Sequence, residues 1–489
     1  MTRPAPQEPA AHDLTALPGV RRWTMRVAAD LAAGHSCLLI LPTTAAAHAE
    51  DLLNAVLGSR SDWLRVPPPG TEPADTEPAG PEDDPPPLWS GQPPILHDLD
   101  DGDFVVGLMT AAFGAQAALT PLPPPPPPRT GPAHTNSIEA RLESLLPART
   151  SGNDPADDVY RRLTADHADG RTYVLNAAAE DDPDALARLL LRLPATVKAA
   201  GLQPHRRPRL LVVATADRLP ATAPDDLPRN DVAVHWWWGT LGRLDTASVT
   251  AVSRPQRARA STGLAPAGDT HIAEAVIQAT IVEVCGPHLA LAATLATCWD
   301  GRPETLHAAL ATTCRAHPAP PGTQHPPAHR IGALAHQPPD ALREQWNNGT
   351  IDAWDGHLRP HPSLLCAGSD HTALHKLLWV AHSRTLLPLI DDAREALAAQ
   401  VLPTSTLGDD ELLHLYGPET APGTTSSTHD RLHAIELGKM LSAKTRGVLR
   451  FDPPQTSALH TLRNARNLLS HRRHLPGTTL DLLLPKLSP

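Results

Sequence analysis

The chain is 489 residues long, enough for about two to four domains that each bury a core of their own. A net charge of −11 at neutral pH argues against an unassisted electrostatic grip on nucleic acid, while leaving room for local basic patches. Proline is the outlier, with 55 residues or about twice the usual share, and it is gathered in tracts. The N-terminal MTRPAPQEPAAHD lacks the charged-then-apolar layout of a secretory signal. Cys37, Cys285, Cys298, Cys314 and Cys366 are scattered without a CxxC pair, as expected of reduced thiols in a cytoplasm. Glu274, Gln278, Glu283, Gly286 and Pro287 interrupt the most apolar stretch, residues 272–299, so no membrane span is expected.

Residues 36–57 read as an apolar strand (Cys37, Leu38, Leu39, Ile40, Leu41), a short turn (Pro42, Thr43, Thr44) and an alanine-rich helix. That is the element order of a phosphate-binding loop. A working loop of this kind uses glycines so that backbone N–H groups wrap the phosphates, and a lysine against the β and γ charges. Here the loop is PTTAAAHAE, and the first lysine anywhere in the chain is Lys198. Hydrolysis is therefore expected to be lost, with no cofactor and no metal site.

Two proline-rich insertions follow, residues 67–94 and 121–132, the second with a run of six from Pro123 to Pro128. Both read as solvated spacers of polyproline character, with docking of SH3-like partners as the alternative. Between them, residues 104–119 form a candidate helix. From Arg171 the α/β rhythm resumes: a strand at Tyr173, Val174 and Leu175, a helix over 184–201 with Asp182 at its start, and strands over 209–214 and 232–238. Alternating strands and helices predict a mostly parallel sheet. The run Trp236, Trp237, Trp238 at a strand end suits core packing better than base stacking.

The string LLVVATADRL (residues 210–219) resembles the second nucleotide motif of STAND-type NTPases, signalling relatives of AAA ATPases. That family has four apolar residues, then Asp, two small residues, Asp and Glu. On this alignment the metal-binding aspartate falls on Ala214, the next acid on Asp217 and the last on Arg218. Without the first carboxylate, Mg²⁺ loses its protein anchor. The resemblance implies an inactivated STAND-like module of the kind found in bacterial conflict and antiphage gene clusters.

Beyond residue 265 the pattern turns helical, with helices expected over 271–285, 288–299 and 304–314, then a buried helix beyond Asp370 that contains Pro388, and helices over 432–441 and 458–471. The last third reads as an all-α bundle. Within it Arg466-Asn467-Leu468-Leu469-Ser470-His471 is similar to the Arg-Asn-x-x-x-His signature of HEPN domains, helical bundles that often dimerise and act as metal-independent ribonucleases. Leu459, Leu462, Ala465 and Leu469 share one helical stripe, and Asn467 and His471 share another. The resemblance implies His471 as acid/base, Arg466 as charge stabiliser and Asn467 as orienter, with Arg463, Arg472 and Arg473 on an RNA backbone. The same segment also admits a structural role, and basic residues at a helix C-terminus suit its dipole.

The domain reading is a degenerate P-loop-like α/β unit over 1–255, a helical unit over 256–330 and a HEPN-like bundle over 331–489. The expected function is that of a non-hydrolysing, cytoplasmic regulatory or scaffold protein of a conflict system. It would act through protein partners of the same gene cluster, with RNA as a further partner, no membrane, and a homodimer through the C-terminal bundle. A HEPN-type ribonuclease with a sensory N-terminal half is the alternative, and a nucleic-acid-binding adaptor a third. His371 and His375 lie one helical turn apart, but Thr372 stands where a zinc protease has glutamate. His325 and His329 fall in a proline-rich loop. Asp352, Trp354, Asp355 and His357 mix acids and aromatics without a pattern that fixes their geometry.

Overall fold

A computed structural model describes residues 13–58, 60–70, 137–146, 159–165, 170–180, 182–220, 223–254, 267–318, 336–367, 371–418 and 427–487. The expected helix at 104–119, the 121–132 insertion, most of the 67–94 insertion and the pair His325/His329 lie outside them. Five segments form a parallel sheet: β1 Ser36–Leu41, β2 Trp63–Arg65, β3 Thr172–Asn176, β4 Arg209–Thr215 and β5 Val232–Trp236. Their spatial order is β2-β3-β4-β1-β5. The two strands with unbroken apolar runs, β1 and β4, pair along Cys37–Leu211 to Leu41–Thr215 and are buried at every residue. A parallel strand covered on both faces needs that composition. The short β2 was not legible in the sequence, because three half-exposed residues carry no period.

Helices α1 Pro18–Ala32, α2 Ala49–Leu57 and α5 Pro183–Ala199 pack on the sheet, with α3 Ile138–Ser144 and α4 Val159–Thr164 against α5. Helix α1 buries Val20, Trp23, Val27 and Leu31, an i, i+3, i+4 stripe, and the Trp23 indole donates to the Trp236 carbonyl at 3.0 Å. Asp182 caps α5 by accepting from the Ala185 N–H at 3.0 Å. The short α6 Ala223–Asp226 precedes β5.

From α7 Arg243–Ser253 onward the chain is largely helical: α8 Ala267–Cys285, α9 Leu289–Cys298, α10 Leu306–Ala316 and α11 Arg343–Asn347, then α12 Thr372–Val401, which contains Pro388. The tail comprises α13 Asp409–Tyr416, α14 Thr428–His433, α15 Leu437–Thr445, α16 Pro453–Ser470 and α17 Gly477–Leu487. No helix among the described residues is long and apolar enough to cross a membrane.

Two expectations for this half are corrected. The single helix expected over 432–441 is two, α14 and α15, because Ile435 is buried between them and Glu436 adopts an extended conformation at the head of α15. The last third also contains an antiparallel hairpin, β6 Ile351–Trp354 and β7 His357–Pro360. Its turn is Asp355-Gly356, with φ of 49° and 75°. Asp-Gly between two short runs favours a two-residue turn of this hand, since glycine carries no penalty there.

One buried carboxylate ties these parts together. Glu283 on α8 is 1% exposed and accepts from Arg243 at the start of α7, from Arg359 of β7 at 2.9 Å and from Arg384 of α12 at 2.8 Å. Removing a carboxylate from such a site leaves guanidinium groups without compensation. Glu283→Ala is expected to lower unfolding free energy by about 3–5 kcal/mol. Urea titration checks this, and a loss below about 1 kcal/mol would mean that the ion cluster does not hold the fold.

Candidate functional site

The chain crosses the sheet at β1, which has β4 on one side and β5 on the other. In open α/β sheets ligands bind in the crevice at the carboxyl ends of the strands, where the strand order switches sides. At that point the chain passes through Pro42 into a 3-10 turn over Thr43–His48 and on into α2. The Ala45 N–H is spent on the Pro42 carbonyl at 2.9 Å, so the turn closes on itself instead of forming an open cradle of N–H groups.

A lid formed by α11 and the β6–β7 hairpin lies on this turn. Thr43 Oγ1 donates to the Asn347 carbonyl at 2.5 Å, and the Gly239 N–H donates to Asp352 Oδ1 at 3.2 Å. Gly349 (φ 78°) passes so close that a Cβ there would stand 2.6 Å from Thr44 Cγ2, so both conformation and space require glycine. The three tryptophans after β5 form the seat. Trp236 and Trp238 meet Trp346 of α11 edge-on at 5.4 and 6.5 Å, and Trp237 meets Trp23 at 5.2 Å.

A cavity lies on each side of this contact. The first, about 320 Å³, is lined among others by Thr44, His48, His288, His317, Asp352 and His361, and none of the described lining residues is Lys or Arg. Burial pushes His288 down to about 3 and His361 down to about 4. Burial also pushes Asp352 up to about 7, against the backbone N–H groups of Gly239 and Ala353 that favour its anion. These three groups leave little fixed charge in the wall near neutrality.

The second cavity, about 600 Å³, reaches Ile40 at the end of β1. Five carboxylates, Asp217, Asp225, Asp226, Asp340 and Glu344, face one cation, Arg343. That guanidinium is held at 2.9 Å by both Asp225 and Asp340, and it lies over the Trp236 ring at 5.1 Å. Ala214 is buried beside Ile40 in the β1–β4 register, and Arg218 donates to the Glu180 carbonyl at 3.3 Å. Of residues 214, 217 and 218, Asp217 is thus the one that lines this cavity. Arg343 and Asp225 could not be placed there from sequence, since 118 residues separate them.

The Arg-Asn-x-x-x-His segment lies at the far end of α16. Leu459, Leu462, Ala465 and Leu469 are buried, as their stripe predicts. Asn467 and His471 are exposed, with the His471 N–H closing the helix on the Asn467 carbonyl at 3.0 Å. Arg466 pairs with Glu436 at 3.4 Å, both partners being well exposed. Among the described residues no side-chain hydrogen bond joins Arg466, Asn467 and His471. Arg463, Arg472 and Arg473 are also exposed, Arg472 lying 5.9 Å from the centre of the Trp379 ring.

His371 and His375 belong to a longer row. The His371 ring lies tilted against His307 at 4.2 Å, His375 lies 4.8 Å from His474, and His474 lies 6.3 Å from His382. Among the described residues no three His, Cys, Asp or Glu side chains are arranged to hold a metal ion. The buried member, His382, accepts the Leu475 N–H on Nδ1 at 3.1 Å, and burial pushes it down to about 3.

Comparison with known families, curated proteins and solved structures finds no match to this chain.

Two outcomes are expected. His471→Ala should leave unfolding free energy within about 0.5 kcal/mol, and a larger loss in denaturant titration would mark the residue as structural. His382 is neutral when folded and ordinary when unfolded, so its contribution is complete above the unfolded value near 6.5 and is lost as pH falls towards about 3. Tm should therefore fall on acidification below about pH 6.5, with a shallower slope in His382→Asn; an unchanged slope would remove His382 as a cause.

Proposed function

We propose that the chain is a non-hydrolysing, STAND-like regulatory or scaffold protein of a bacterial conflict or antiphage system, acting through partner proteins. The observation that carries this reading is the charge of the crevice at the end of β1. One cavity has no Lys or Arg in its described wall, and the other sets five carboxylates against a guanidinium already shared by two of them. Phosphoryl transfer depends almost wholly on positioning and on neutralising developing negative charge. A metal-bound triphosphate would meet neither a lysine nor glycine backbone at this turn.

What the crevice retains is contact. The Thr43–Asn347 bond and the tryptophan seat join the sheet to the lid, and Arg359 in turn joins the lid to Glu283. A partner that grips the helical half therefore reaches the sheet through packed side chains, which suits a docking or switching role.

Pure protein is expected to show no ATP turnover above buffer, and no Tm shift with 1 mM Mg-ATP. A ligand present at about a hundred times its Kd would add about 2.7 kcal/mol of stability, well within the reach of a thermal scan. Turnover that is lost in Thr43→Ala would overturn the proposal.

A further inference from the structure

A third cavity, about 500 Å³, lies between α8, the β6–β7 hairpin and α12. Four cations, Arg243, Arg359, Lys376 and Arg384, line it against two carboxylates, Glu283 and Asp355. In a chain of net charge −11 this is a local excess of two positive charges. Glu283 is already shared by three guanidiniums, and Asp355 is bound to Arg243 at 3.0 Å. Lys376 is exposed on α12 and has no carboxylate partner among the described residues.

A second, independent feature marks the same wall. Trp354 is 1% exposed and lies between two guanidiniums, Arg243 at 4.5 Å and Arg359 at 4.7 Å from its ring. Its indole N–H is buried, with no acceptor among the described residues. Leu358, Leu365, Leu377 and Val380 make most of the rest of the wall apolar, with His357 beside them.

We propose that this cavity is a binding site for a small phosphate monoester with an apolar body. A monoester dianion carries about −1.5 to −2 at neutral pH and three acceptor oxygens. That matches the excess charge and can satisfy guanidinium and ammonium donors together, while the aliphatic wall takes the organic part. A monocarboxylate has half that charge and one acceptor fewer. The site does not depend on the reading of the β1 turn, and it would fasten the hairpin to α8 and α12.

The test is calorimetric titration of the full chain with phenyl phosphate, and with benzoate as the monoanion of similar body. Saturable binding of phenyl phosphate is expected, at least tenfold tighter than benzoate, weakened tenfold or more by Lys376→Glu and kept within threefold by Lys376→Arg. Absence of saturable phenyl phosphate binding, equal affinity for benzoate, or an affinity unmoved by Lys376→Glu would each overturn the assignment.

Discussion

The structure turns on a buried carboxylate that no local rule requires. Glu283 sits in a helix rich in apolar residues, 1% exposed, and receives guanidinium groups from three elements far apart in the chain. Burying one charge alone is costly, and the cost is offset only when partners arrive from all sides. The start of α7, the β6–β7 hairpin and the middle of α12 must therefore be in place together. Helix α7 is fixed to the α/β half in turn, because Asp245, also 1% exposed, accepts from the Gly19 N–H of α1 at 2.8 Å and from the Gly242 N–H at 2.7 Å.

From that anchorage the lid acquires its position. Arg359 ties the hairpin to Glu283, while its cross-strand neighbour Asp352 meets Gly239 and Asn347 meets Thr43. The crevice at the end of β1 is thus walled by groups from both halves of the chain. Its shape is that of a ligand site at a switch point, but its electrostatics are wrong for phosphate. Positive charge is gathered elsewhere on the same hairpin, where Arg243 and Arg359 lie against the Trp354 ring.

The elements with strong local signals were legible in advance. β1, β3, β4 and β5 announce themselves as apolar runs of strand length, α5 by its Asp cap and apolar stripe, and α16 by the period of Leu459, Leu462, Ala465 and Leu469. The hairpin carries an Asp-Gly turn, but the surrounding pattern is helical and its strands are only four residues long, so its pairing is not legible locally. The candidate site was half visible. The missing lysine, the missing glycines and Ala214 can be read directly, whereas Arg343, Asp225 and the tryptophan seat come together only across more than a hundred residues.

By itself the sequence determined the long apolar strands and the strongly periodic helices, and that the turn after the first strand carries neither glycine nor lysine, because both are properties of neighbouring residues. Only the tertiary structure decided the order of the strands, the lid over the turn, the exposure of His471 and Asn467, and the meeting of four cations at Trp354. Those depend on which distant partners satisfy a buried charge or an apolar face, and composition is silent on that choice.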